Sequence, residues 1–225
     1  MNRVTAAGII ISSMPIGEYD RRVEILTAEF GRISAFARGA RKPGSPLVSV
    51  TRPFACGRFD LYQGKSSYSL NAAVISDYFN ELTEDIELAY SGFYFLELAQ
   101  YFTRENVEAA DILKLVYVGI KALIRKKTPQ ALVKSVFELK MLHLNGLCPA
   151  VERLTSGAAA YSYASDMSPG CRKAYSFVTE ASPEKVFSFI LSDEVMSEFE
   201  NTVTVLLSQN TDKKFKSVSF ISELL

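Results

Sequence analysis

Val23-Glu24-Ile25-Leu26-Thr27-Ala28-Glu29-Phe30-Gly31-Arg32-Ile33-Ser34-Ala35-Phe36-Ala37 decides the fold. Val23 and Ile25 flank the polar Glu24, the alternation of a half-buried strand. Ile33-Ser34-Ala35-Phe36-Ala37 alternates large with small or polar. Between them Glu29-Phe30-Gly31-Arg32 supplies a glycine for a tight hairpin. Working outward, Gly8-Ile9-Ile10-Ile11-Ser12-Ser13 is a compact apolar run. Phe54, Phe59, Leu61 and Tyr62 mark a strand near residues 54–63, and Gln63–Ser67 a turn. Tyr68–Ile75 is the strand after it. Five short strands at this spacing predict a small barrel, of which the oligonucleotide-binding (OB) barrel is the five-stranded example.

The rest of the chain changes period. Thr83 is the expected N-cap of a helix through Thr103, with Glu84 and Asp85 in its first turn. Ile86, Tyr90, Phe93 and Leu96 recur along it at helical spacing. Ala109–Lys127 is a second helix, with Ile112, Leu115, Val116, Ile120 and Leu123 as its apolar stripe. Arg125-Lys126-Lys127 at its end is either a dipole pairing on a solvated face or an acceptor for an acidic tail. Thr128-Pro129 starts a helix through Leu132, Val136, Leu139 and Leu142 that stops at Asn145-Gly146. Ser182-Pro183-Glu184 repeats that start signal before Val186, Phe187 and Ile190. A last helix begins near Asp193 and carries Met196, Phe199, Val203 and Leu206. Residues 147–176 read as irregular, a long inserted loop.

Composition removes several classes. The chain has 225 residues, of which 48% are hydrophobic and 22% charged, enough for a core without disulfide or metal staples. Its 3 cysteines, Cys56, Cys148 and Cys171, do not make a secreted disulfide framework and fit a reducing cytosol. No run approaches a spanning helix, and the start Met1–Thr5 does not read as a signal peptide. The expectation is a cytoplasmic protein with no membrane partner.

Net charge is zero, but its distribution is uneven. Residues 1–79 hold ten Lys or Arg against six acids, and within 31–65 seven bases face Asp60 alone. The richest stretch, Ala37-Arg38-Gly39-Ala40-Arg41-Lys42-Pro43-Gly44-Ser45-Pro46, is a loop by composition. Three cations on a loop beside a barrel suit a phosphate backbone, whose neutralisation supplies much of nucleic-acid affinity. Of the nearby aromatics Phe36, Phe54, Phe59, Tyr62 and Tyr68, exposed ones would stack bases and the majority belong to the core.

Catalytic signals are missing. His143 is the only histidine and sits mid-helix among leucines, where a buried or boundary side chain is expected. There is no Gly-x-Ser-x-Gly elbow, no Walker-type phosphate loop and no dinucleotide fingerprint. A zinc site would have to combine Cys148, Cys171, His143 and an acid, without the usual close pairs. Cys56, on a strand, reads as a small core residue.

The sequence resembles the RecO family of bacterial recombination mediators. The likeness begins at Gly8-Ile9-Ile10 and Gly17-Glu18-Tyr19-Asp20-Arg21 and is strongest over Thr27–Arg41, with its Glu-x-Gly-Arg hairpin and Ala-Arg-Gly-Ala-Arg loop. It continues at Phe137-Glu138-Leu139-Lys140-Met141-Leu142, at Leu147-Cys148-Pro149 and at Phe215–Phe220. The resemblance implies an α+β protein. An N-terminal five-stranded OB-fold barrel for DNA binding spans residues 1–79, and an α-helical domain spans 80–225. The helical domain would carry a zinc-finger-like insertion at about 147–176. It implies a protein that is not an enzyme, binds single- and double-stranded DNA and anneals complementary strands. Its partners would be RecR, the acidic C-terminal tail of single-strand-binding protein (SSB) and, indirectly, RecA.

Where relatives carry two Cys-x-x-Cys pairs, this chain reads Glu152–Gly157 and Ser168-Pro169-Gly170-Cys171-Arg172. The expected insertion is therefore degenerate, without metal or other cofactor, and packed through Tyr161, Tyr163 and Tyr175. Carried over by position, Arg38, Arg41 and Lys42 are the main expected phosphate contacts, supported by Arg32, Arg21 and Arg22. Lys121, Arg125 and Lys134 are the candidates for the SSB tail. The competing reading is a protein-interaction adapter whose barrel binds a partner and whose DNA binding is minor.

Overall fold

Alternating residues at the start of the chain form strands because one side of each has a core to enter and the other has water. The computed structural model describes residues 2–65, 67–155, 167–213, 215 and 217. The strands are β1 (Asn2–Ile16), β2 (Asp20–Thr27), β3 (Gly31–Ala37), β4 (Cys56–Gln63) and β5 (Tyr68–Asp77). They close into a barrel in the order β1-β2-β3-β5-β4. Every pairing is antiparallel except β3 with β5. β1 closes the ring by serving two neighbours: Asn2–Ile9 pair with β4 and Gly8–Ile16 with β2. A register shift between Ile10 and Ser12 bends it between the two. This is the OB-type barrel expected.

Val23, Ile25, Ile33, Ala35, Phe59 and Leu61 fill the interior. A four-residue helix α1 (Leu47–Val50), absent from the sequence reading, adds Leu47 and Val50 to the same core. The strand assigned to residues 54–63 begins at Cys56, because Phe54 sits at φ +72° just before it.

The chain divides into two compact units. The first takes in the residues up to 86 and also 96–113; the second takes 87–95 and 114 onward. Helix α2 (Ile86–Phe102) contributes to both. In the first unit, the stretch after α2 is stitched to the β2–β3 hairpin by main-chain bonds. Ala109 N donates to Ala28 O at 2.9 Å, Asn106 N to Phe30 O at 2.9 Å and Arg32 N to Arg104 O at 3.1 Å. Gly31 is required there twice over. Its φ is +65°, and a Cβ would stand 2.1 Å from Arg104 O and 2.4 Å from Val107 O. The buried Thr27 hydroxyl donates to Gly31 O at 2.8 Å and holds the turn from inside.

The second unit is helical: the first part of α2, most of α3 (Ala110–Arg125), α4 (Gln130–Leu144), α5 (Val151–Thr155), α6 (Pro169–Glu180) and α7 (Asp193–Asn210). The predicted stripe on α3 is buried throughout. Phe95 stacks on Phe137 at 3.8 Å with ring planes 5° apart. Glu138 is buried on α4, accepts from the Tyr94 hydroxyl and has Lys134 Nζ 3.7 Å away. Lys140, also buried, donates to Thr179 O at 2.8 Å.

Several helix expectations are corrected. Thr83 ends a 3-10 turn (Asn80–Thr83) and donates to Asn80 O, so α2 starts at Ile86 without that cap. Of the expected stripe on α2, Leu96 is buried and Tyr90 half-buried, while Ile86 and Phe93 are exposed; Leu88, Tyr94, Phe95 and Leu98 are buried as well. Thr128 does not cap α4; its hydroxyl donates to Phe187 O, and Pro129 takes the capping position. Residues 183–187 form turns instead of a helix; the stretch buries Pro183 and Val186, while Ile190 is 76% exposed. Residues 169–176, read as irregular, are the start of α6, where the Ser168 side chain accepts from Cys171 N. Tyr175 does pack there and donates to Pro149 O at 2.8 Å. Tyr161, Tyr163 and most of the expected insertion lie outside the described residues.

Two stability tests follow from these contacts. Gly31→Ala is expected to cost about 2–4 kcal/mol in urea denaturation; an unchanged midpoint would mean that the turn yields. Burial pushes the Glu138 carboxyl up, against Lys134 and the Tyr94 hydroxyl. The native state then holds that proton more tightly than the unfolded one. The contribution of Glu138 therefore falls as pH rises past the ordinary carboxylate range. Glu138→Gln should gain stability relative to the parent as pH rises above the ordinary carboxylate range, whereas a pH-independent difference would contradict the assignment.

Candidate nucleic-acid interface

The β1–β2 turn and the loop after β3 are built as one piece. Gly39 adopts φ +68°, and its N–H donates to Asp20 Oδ1 at 2.7 Å. Arg41 N donates to Tyr19 O at 2.8 Å, and its Nη1 reaches Gly17 O at 3.2 Å. Lys42 Nζ stands 5.5 Å from the centroid of the Tyr19 ring. The Glu18 carboxylate accepts from the Tyr19 hydroxyl and pushes that phenol above its ordinary range, so the ring stays uncharged. The loop that composition marked as open is therefore fastened along its basic half.

Of the six predicted phosphate contacts, four present their cations outward. Arg38, Arg41 and Lys42 are exposed on the loop, and Arg22 is exposed on β2. Arg38 makes no hydrogen bond or ion pair among the described residues. Arg22 Nε donates to Ser34 Oγ at 2.8 Å. Arg21 is half-buried, with Nη1 on Ser13 Oγ at 3.0 Å and its Nε buried without a hydrogen-bond partner among the described residues. Arg32 turns inward to the first unit: Nη1 meets Glu24 Oε1 at 3.1 Å and Nε donates to Thr103 O at 3.3 Å. Glu24 also accepts from Gln100. The outer face of β2 and β3 is thus covered near the hairpin and open near Arg22 and Phe36.

That open end carries apolar groups the sequence reading did not assign to the surface. Tyr19 is 42% exposed, Phe36 36% and Met14 55%. In register, Met14 lies opposite Arg22 and Arg22 opposite Phe36, so the three form one row across β1, β2 and β3. Of the aromatics considered for stacking, Phe54, Phe59 and Tyr68 are buried and Phe36 is exposed. The signal that separates it was present: Ile33, Ala35 and Ala37 face inward, so Phe36 must face out.

The tail candidates divide likewise. Lys121 and Arg125 are four residues apart on α3 and share a face; Lys121 Nζ stands 5.9 Å over the Tyr117 ring. Lys134 on α4 is engaged by Glu138 and stands 5.9 Å over the Tyr94 ring. Among the described residues no three His, Cys, Asp or Glu side chains converge. Burial pushes the Cys148 thiol up to about 11 and the Cys171 thiol up to about 12. His143, expected to be buried or at a boundary, is exposed on the last turn of α4, and Cys56 is half-buried at the first position of β4. No described helix is long and apolar enough to cross a membrane.

Comparison with known proteins agrees with this architecture. The family profile "Recombination protein O N terminal" matches residues 1–79, and "Recombination protein O C terminal" matches residues 83–218. A DNA repair protein RecO of Acetivibrio thermocellus is 25% identical, over 100% of this chain and 98% of its own. The protein of that name from Clostridium kluyveri is 29% identical over 96% of this chain and 92% of its own. That of Clostridium acetobutylicum is 29% identical over 96% and 95%. Barrel, helical segment and matched residues together place the chain in the RecO family of DNA repair proteins.

Proposed function

We propose that this chain is a recombination mediator that acts by binding and not by catalysis. It binds single- and double-stranded DNA through the barrel, anneals complementary strands and, with RecR, helps load RecA onto SSB-coated single-stranded DNA. The observation that carries this reading is the fastened basic loop. Arg38, Arg41 and Lys42 project from a segment tied by three hydrogen bonds, one of them between main chains, to the Gly17–Asp20 turn, beside Arg22 on an open sheet face. Such cations contact phosphates, which position a strand without reading its bases. Annealing needs that division, because the pairing edges of the bases must stay free. Arg21 and Arg32, both tied internally, shape the barrel beneath the cations. On the helical part, the Lys121–Arg125 face of α3 offers positive charge for the acidic SSB tail, with Lys134 in a supporting place. The site of action would be the cytoplasm, at the nucleoid.

The triple reversal Arg38→Glu, Arg41→Glu and Lys42→Glu tests it. Single-strand affinity at low salt is expected to fall by about 100-fold or more, and annealing of complementary oligonucleotides with it. All three side chains are exposed, so the melting temperature should hold. Undiminished DNA binding would overturn the proposal and favour a protein adapter.

A further inference from the structure

We propose that Tyr19 and Phe36 are base-stacking groups that make a single strand, and not a duplex, the preferred ligand of this surface. The inference rests on the DNA-binding reading above and goes beyond it by naming how the strand is distinguished. Single exposed aromatics are ordinary on a protein surface. These two are placed among cations. Lys42 stands over Tyr19, yet the ring remains 42% exposed. Arg22 lies directly opposite Phe36 in the β2–β3 register, with Phe36 36% exposed. Tyr19 sits in the β1–β2 turn, to which the Arg41–Lys42 segment is fastened, and Arg22 follows it on β2. Each ring thus has a cation for the backbone beside it.

A duplex has no use for those rings. Its bases already stack on one another and are paired, so it meets the surface with phosphates alone. A single strand can turn base faces to Tyr19 and Phe36 while its phosphates lie on Arg22, Arg38, Arg41 and Lys42. Stacking of this kind tolerates any base, because every base has a π-face. It also leaves the pairing edges outward, as annealing demands. The bond from Arg41 N to the Tyr19 carbonyl fixes the backbone from which the ring projects.

The test is titration of the full chain with a labelled single strand, its duplex of equal length, and an abasic strand. Tyr19→Ala and Phe36→Ala should each weaken single-strand binding by between about fivefold and 100-fold, leaving duplex binding within about twofold. Tyr19→Phe and Phe36→Tyr, which keep the rings, should bind as the parent does. The parent should prefer the normal over the abasic strand, and the double alanine variant should lose that preference. Unchanged single-strand affinity in both alanine variants, or equal losses on strand and duplex, would overturn the stacking assignment. The Arg38/Arg41/Lys42 reversal, run alongside, separates the two failures. If it weakens binding while the alanine variants do not, stacking fails and the DNA reading stands. If the parent binds neither strand nor duplex, both fail together.

Discussion

The bond from Gly39 N–H to Asp20 Oδ1, with its neighbour from Arg41 N–H to Tyr19 O, sets where every candidate contact can stand. Without it the basic loop would be a tether of scattered cations, each ordered only on binding and at entropic cost. With it, Arg41 and Lys42 are held over the β1–β2 turn and Tyr19 is pinned beneath Lys42. Asp20 has a further effect: its charge faces a main-chain donor, so an acid in the middle of a basic patch is partly satisfied without cancelling a side-chain cation.

The same economy explains which basic residues are left for a ligand. Arg32 and Glu24 form a half-buried pair that also takes in Gln100 and Thr103 O. Breaking such a pair to reach a phosphate would leave Glu24 uncompensated. Arg38, by contrast, has no hydrogen bond or ion pair among the described residues to give up. The residues between 96 and 109 that cover the hairpin end therefore shorten the usable barrel face to the end bearing Arg22, Phe36 and the loop. An OB barrel commonly binds on its second and third strands; here residues 100–109 of the chain cover the hairpin end of that surface.

Much of this was legible. The alternation around Glu24 and along Ile33–Ala37, and the glycine at 31, were enough for the barrel, because a one-residue slip would put every apolar side chain in water. The charge count located the loop. What sequence could not supply was tertiary. Leu47–Val50 is too short to show a period, and its two buried side chains matter only because the barrel end needs filling. Thr128-Pro129 and Ser182-Pro183 carry the same start signal, yet only the first precedes a helix, since helices persist through the face they bury and not through their caps. Gly31 was readable as a turn residue. That Arg104 O would lie 2.1 Å from its Cβ was not. Residue type alone does not say which of the five aromatics is exposed; the alternation along Ile33–Ala37 singles out Phe36.

The central claim is that the Arg38–Lys42 loop binds through phosphates. Its most direct test is the salt dependence of single-strand binding, followed by fluorescence anisotropy on the full chain. Four outward cations predict log K falling with log salt at a slope of about −2 to −3, from about 0.7 per phosphate contacted. A slope near zero, or no binding at the lowest salt, would contradict the account.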